Sequence, residues 1–216
     1  FYRILKNKED KKRYKEKFSI TSKKRAKGKI IWFHGASVDE KKSKIKLIKN
    51  DEKEDTNRFK EKFCFFSEKR KKGKLIWFHG ASVGELQSII PVIEKLNKNK
   101  KVKQILVTSN TLSSSNIVNQ YKFKKVIHQF FPIDSNFLSN KFLNYWKPSV
   151  GFFIDSEIWP NTILNLYKKN IPIVLLNARI TKKTFNKWKL VRFFSKNIFN
   201  KFNLCLSSNL ETKKYL

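Results

Sequence analysis

A chain of 216 residues with 40% hydrophobic content and 20 phenylalanines can hold one large domain with a sizeable core, which excludes wholesale disorder. Its formal net charge of +32 points to a polyanionic partner, yet only seven of the 49 basic residues are arginine, the side chain on which nucleic-acid readers rely most. Roughly half of the charge is therefore assigned to a Lys-, Asn-, Ile- and Phe-rich composition of the kind an AT-rich coding sequence produces, and the remainder to an anionic surface or substrate.

In chain order, residues 1–29 open with FYRILKNKEDKKRYKEKF, a short apolar start followed by mixed charge. It reads as a solvated helix or, alternatively, as a juxtamembrane basic segment suited to an anionic leaflet. An internal repeat follows. Residues 8–40, ending IIWFHGASVDE, return as residues 53–85, ending LIWFHGASVGE, with His34 and His79 setting a period of 45. Two copies do not make a solenoid, so the repeat reads as a tandem duplication. The second copy reads as the working one. It runs on into the amphipathic LQSIIPVIEKL, whereas the first meets the charged KKSKIKLIKNDEKED and carries Asp39 where the second has Gly84. A glycine in such a turn supplies φ > 0 or a close backbone approach to ligand. The first copy is expected to pack poorly, as an edge strand or a partly disordered loop. Residues 1–52 thus form a basic N-terminal segment with a non-core duplicate, and residues 53–216 the folded domain.

From Leu75 onward, apolar runs alternate with helical segments. Strands are predicted at 75–79, 103–109, 125–131, 149–155, 171–177 and 203–207, and helices at 85–98, 113–121, 136–145, 160–169, 181–201 and 209–216. The fold class is α/β: a doubly wound, Rossmann-like parallel sheet covered on both faces. Cys64 and Cys205 have no framework spacing, and Cys205, within the apolar run Leu204 to Leu206, reads as a buried thiol in a reducing compartment. No stretch approaches the roughly 18 apolar residues needed to cross a bilayer. The chain begins at Phe1 and contains no methionine, so its true N-terminus, where a membrane anchor could lie, is expected upstream.

Ligands of open α/β sheets bind at the carboxyl ends of the strands. That rule selects His79, Ser82 and Glu85 after strand one; Thr108, Ser109, Asn110 and Thr111 after strand two; Asp155, Ser156, Glu157 and the WPN of 159–161 after strand four; and Asn177 and Arg179 after strand five. Each has a plainer reading. Glu85 could be an ordinary acid in a first helical turn, Glu157 and Asp155 could cap the helix at Pro160, and residues 108–115 could be a polar loop and N-cap. His79 could be a satisfied turn histidine, and His128 reads as packing. No GxGxxG or Walker pattern occurs, and the three histidines, two cysteines and the acids show no metal-ligand spacing, so neither a metal nor a nucleophilic triad is predicted.

Three motifs, FHGASVGE (78–85), IDSEIWPN (154–161) and LNARIT (176–181), resemble in order and spacing the N-terminal half of the 3-deoxy-D-manno-octulosonic acid (Kdo) transferases, GT-B glycosyltransferases of lipopolysaccharide assembly. The similarity runs from about residue 58 to 216, with a weaker echo in residues 1–18 of the basic stretch after the family's membrane anchor. The resemblance implies two Rossmann-like domains, the N-terminal one receiving a lipid A precursor and the C-terminal one binding CMP-Kdo, at the cytoplasmic face of the inner membrane. It implies no cofactor and no metal. Glu85 would be the general base that deprotonates the acceptor hydroxyl for inverting attack on Kdo. Glu157, matching the second acid of the family's E-x-E-type motif, would be a second essential carboxylate. Gly80, Ser82 and Gly84 would shape the loop around the base, and Ser109, Asn110, Asn177 and Arg179 would line the acceptor site, with Arg179 suited by charge to acceptor phosphates. The partners implied are the lipid A precursor, CMP-Kdo and the anionic membrane surface, not nucleic acid.

Two departures from the family pattern shape the expectation. The duplicated residues 8–52 are foreign to it, and the numbered chain ends at Leu216, where the family continues into its donor domain; if this is the whole polypeptide, the CMP-Kdo site is missing and catalysis is expected to fail, while the fold and acceptor site survive. The alternatives are a non-catalytic basic protein binding anionic membrane or nucleic acid, and an inactive truncated fragment.

Overall fold

The computed structural model describes residues 58–216. The readings made for residues 1–52, including the solvated helix and the fate of the first repeat copy, lie outside the described residues.

After a 3-10 turn at Phe59–Phe63, the domain alternates strand and helix. β1 is Lys74–His79, α1 Val83–Lys98, β2 Val102–Ser109, α2 Leu112–Gln120, β3 Val126–Phe130, α3 Asn136–Trp146, β4 Val150–Ile154, α4 Pro160–Lys168, β5 Ile173–Ala178, α5 Lys182–Leu190, α6 Arg192–Phe199, β6 Leu204–Ser207 and α7 Leu210–Tyr215. The six strands form one sheet in the order β3-β2-β1-β4-β5-β6, and every pairing is parallel. All six predicted strands are present, and β1, the strand of the second repeat copy, sits at the centre.

Strand periodicity divides the core in two. Along β1, Leu75 and Trp77 enter the cluster that contains Phe142, Trp146, Ile163 and Leu166 of α3 and α4. Ile76 and Phe78 enter the opposite one with Leu86, Ile89 and Ile93 of α1. That two-sided burial is why β1 reads as a continuous apolar run. Trp77 is fully buried, its ring centroid 5.0 Å from Phe142 and 5.3 Å from Phe153. α1 runs unbroken through Pro91, because Leu86, Ile89, Ile90 and Ile93 keep the helix docked on both sides of it.

Three details differ from the sequence reading. The single helix expected over 181–201 is two, α5 and α6, parted at Val191 with φ −119° and ψ 43°. No glycine or proline marks the break; the Trp188 carbonyl there accepts from Val191 N at 3.1 Å, and the Ser195 hydroxyl lies 3.1 Å from both the Trp188 and Arg192 carbonyls. Cys205 is half-buried rather than buried, because β6 is an edge strand. For the same reason one face of β6 is open among the described residues, with Leu204 and Leu206 about half exposed.

The N-terminus of α4 is capped from a distance. Its N-cap residue, Trp159, makes no side-chain cap. Instead the Asp134 carboxylate, in the loop before α3, accepts from Thr162 N at 2.8 Å, Thr162 Oγ1 at 2.8 Å and Asn161 N at 3.1 Å. Asp134→Ala should therefore cost about 1–2 kcal/mol, toward the upper end of N-cap losses, as measured by urea denaturation.

Candidate active site

In the strand order, β1 and β4 are the neighbours at which the chain reverses its direction of travel across the sheet, and their carboxyl ends border the crevice where open α/β sheets bind ligands. β1 ends at His79. Gly80 turns the chain, its N–H donating to the Thr108 carbonyl at 3.1 Å, the last rung of the ladder to β2. A methyl group on Gly80 would lie 3.1 Å from Leu86 Cδ2 and 3.2 Å from Glu85 Cβ, so any larger residue here requires these side chains to give way.

Ser82 caps α1, its hydroxyl accepting from Glu85 N at 3.3 Å. Glu85 reaches back: Oε2 accepts from Ala81 N at 2.8 Å, and Oε1 accepts from the Ser82 hydroxyl at 2.8 Å. This is a variant of the capping box, with the backbone bond made to Ala81 N rather than to the N-cap N–H, so the plain reading of Glu85 as a first-turn acid holds structurally. It does not exhaust the residue. Burial pushes the Glu85 carboxyl above its ordinary range, and the negative charges of Glu157 and Asp155 push it further, against the opposing Ser82 and Ala81 hydrogen bonds. A half-buried carboxylate with raised proton affinity at a helix N-terminus is suited to accept a proton.

Glu157 comes from the loop after β4. Asp155 leaves the strand in the left-handed region, φ 59°, which Asp tolerates. Glu157 Oε2 accepts from Trp159 Nε1 at 2.8 Å and lies 3.1 Å from His79 Nε2. Asp155 and Glu157 do not cap α4, since Asp134 does.

The remaining candidates spread along the same edge. Thr108 and Ser109 are buried; the Ser109 hydroxyl is 2.8 Å from His128 Nε2. Thr111 caps α2. Asn110 is half-buried after β2, and Gly84 and Ser82 are exposed in the first turn of α1. Asn177, at φ 52°, and Arg179 are exposed at the end of β5. Gly84 has no positive φ; it lies inside α1, and a methyl group there would meet no protein atom within 4 Å. The backbone-freedom reason for a glycine at this position therefore falls away. His128 packs as expected: burial, then the Arg58 charge, lower its pKa to about 3, so the ring stays neutral.

Sequence reasoning passed over Asp134 and the pairing of His79 with Glu157. It also passed over Arg58 and Glu61, which pin the 3-10 turn to β3. No periodicity signals partners 27 to 78 residues apart. Among the described residues, no group of three or more His, Cys, Asp or Glu could hold a metal ion, and no helix is long and apolar enough to cross a membrane.

Comparison with known proteins sets these residues in context. Residues 57–216 match the family model described as 3-deoxy-D-manno-octulosonic-acid transferase (kdotransferase). A 3-deoxy-D-manno-octulosonic acid transferase of Rickettsia bellii (strain RML369-C) is 37% identical over 216 residues, which is 100% of this chain and 41% of that protein. The enzyme of the same name from Rickettsia prowazekii (strain Madrid E) is 38% identical over 125 residues, 57% of this chain and 27% of its own. That of Haemophilus influenzae is 28% identical over 125 residues, 57% of this chain and 29% of its own. The chain thus spans less than half the length of these relatives. All three site motifs, with the sheet that carries them, lie inside the matched region, and the chain belongs to the 3-deoxy-D-manno-octulosonic-acid transferase (kdotransferase) family, of which it carries the N-terminal half.

Proposed function

We propose that this chain is the acceptor-binding half of an inverting Kdo transferase that acts without a metal and uses Glu85 as its general base. The observation that carries the reading is Glu85 itself: a carboxylate fixed by Ala81 N and the Ser82 hydroxyl at the reversal point of the sheet, with its proton affinity raised by burial and by Glu157 and Asp155. In the step proposed, Glu85 takes the proton of an acceptor sugar hydroxyl as the oxygen bonds to the anomeric carbon of Kdo. The bond from that carbon to the CMP phosphate breaks on the opposite face, and CMP leaves with the electron pair. Arg179 and nearby lysines supply cations for acceptor phosphates. The acceptor is a lipid A precursor and the donor is CMP-Kdo.

The setting proposed is the cytoplasmic face of the inner membrane. Supporting it, Leu190 and Phe193 are 87% and 92% exposed where α5 meets α6, among Lys187, Lys189, Arg192 and Lys196, a mixture suited to an anionic bilayer surface.

The test is Kdo transfer from CMP-Kdo to a lipid A precursor by this chain, alone and mixed with the donor half of the Rickettsia bellii relative. Transfer in either arm that is lost with Glu85→Gln supports the reading. A folded chain that transfers in neither arm, and binds anionic vesicles equally with and without Glu85, would favour a surface-binding protein instead. Gly84→Ala adds a separate check. In the free protein it should be neutral or stabilising by about 0.5–1 kcal/mol, since alanine is the better helix former. It should nevertheless lower transfer, because the added methyl stands where the acceptor approaches; unchanged transfer would place the acceptor elsewhere.

A further inference from the structure

Besides the two carboxylates, the carboxyl edge holds a buried histidine joined to one of them. His79 is fully buried at the end of β1. Its ring stacks on Phe131 with centroids 3.9 Å apart and meets Phe153 and Trp159 edge-on at 5.8 and 5.9 Å. These rings fix its plane, so its two nitrogens have fixed partners. Nε2 lies 3.1 Å from Glu157 Oε2. Nδ1 lies 3.0 Å from Thr108 Oγ1 and 3.3 Å from the Thr108 carbonyl.

The direction of these bonds follows from what each atom has left to give. A carboxylate only accepts, so Nε2, facing Glu157 Oε2 at 3.1 Å, is the donor of a neutral ring; the Thr108 carbonyl, which takes the Gly80 N–H at 3.1 Å and has a second lone pair, does not decide between the tautomers. Thr108 Oγ1 accepts the Trp77 indole N–H at 2.9 Å, so its own proton is free for another acceptor. Of the two acceptors in reach, His79 Nδ1 at 3.0 Å is nearer than the Phe78 carbonyl at 3.3 Å. With Nδ1 accepting, a neutral imidazole carries its proton on Nε2, the atom facing Glu157. Protons then point one way through the edge: Trp77 N–H to Thr108, Thr108 O–H to His79, and His79 N–H to Glu157. On Glu157 the same oxygen, Oε2, takes both the His79 and the Trp159 N–H, and no described residue bonds to Oε1.

We propose that His79 is a positioning residue, held by Thr108 as the Nε2–H tautomer, which with Trp159 fixes the Glu157 carboxylate beside Glu85 at the acceptor site. Packing alone would not select a histidine here, since an apolar side chain could fill the same aromatic surround. The role in transfer rests on the function proposed above; the tautomer and its partner do not.

The test therefore has two independent arms. The chain contains three histidines, so long-range proton–nitrogen spectra of the histidine-labelled protein can resolve the His79 ring. A neutral ring protonated on Nε2 is expected, with a slowly exchanging, downfield proton that moves upfield in Glu157→Gln as its partner loses charge. A ring protonated on Nδ1, or an Nε2 proton indifferent to Glu157→Gln, would overturn the proposal whatever the transfer assay shows. In the transfer arm, His79→Gln, which keeps an N–H where Nε2 lies, should retain most of kcat. His79→Leu should lose up to about 100-fold in kcat with little change in KM, the scale of a misplaced active-site group. Equal losses in both variants, with the fold intact, would overturn the positioning role while leaving the Glu85 reading untouched.

Discussion

Glu85→Gln is expected to lower Kdo transfer by about 10²–10⁴-fold, the usual worth of a positioned general base, while leaving the domain folded. On the proposed reading Glu85 has two tasks, which glutamine separates. Its carboxylate completes the capping box of α1 by accepting from Ala81 N and the Ser82 hydroxyl. Alanine would remove the cap and the base together, costing helix stability of about 0.5–2 kcal/mol and blurring the result. Glutamine also serves at this position of a capping box, and it cannot accept the acceptor's proton. Single-turnover rates paired with urea denaturation separate the two tasks. A large loss of rate at unchanged stability supports the base; parallel losses would reduce Glu85 to a cap.

The largest stability effect is expected at Glu61. β3 is an edge strand, and its outward backbone groups are met by side chains of the preceding 3-10 turn rather than by another strand. Glu61 Oε2 accepts from Phe130 N at 2.9 Å, and Arg58 donates to the His128 carbonyl at 2.8 Å. The two side chains are joined by bonds of 2.7 and 2.9 Å, and Ser67 Oγ adds a third donor to Glu61 at 2.6 Å. Glu61 is almost wholly buried. Glu61→Ala would leave the Phe130 N–H and the Arg58 guanidinium without this partner, a change that costs about 3–5 kcal/mol where a buried pair is broken. Urea denaturation would show it directly. A loss below about 1 kcal/mol would mean that the turn is a loosely attached surface feature.

The architecture was legible because its signals are local. Apolar runs such as LIWFH and QILVT, bounded by helices with ordinary N-caps at Ser82, Thr111, Ser135 and Asn209, announce a parallel sheet within a residue or two of its true limits. The edge that gathers His79, Glu85 and Glu157 follows from the same pattern, since ligand groups of such sheets follow strand ends. What escaped is non-local or lacks a marker residue. The break at Val191, where the Trp188 carbonyl accepts from Val191 N, carries no glycine or proline to mark it. The cap of α4 comes from Asp134, not from the adjacent Asp155 or Glu157. The exposure of Leu204 and Leu206 depends on β6 lying at the rim. Gly84 was read for a positive φ or a close approach to ligand, and of these its helical position removes the first.

The central claim is that Glu85 is a base whose proton affinity is set by burial and by its acidic neighbours, and the most direct measurement is the pH dependence of kcat for Kdo transfer in the wild type, set beside that of the residual transfer in Glu157→Gln. The base works only when ionised, so activity should fall on the acid side as Glu85 takes up a proton. Because its pKa is raised, that fall should lie above the ordinary carboxylate range. Glutamine at position 157 can keep one carbonyl oxygen for both the His79 and Trp159 donors while removing the charge, so the fall should move to lower pH. A profile without an acid limb, or one that Glu157→Gln leaves in place, would contradict the account.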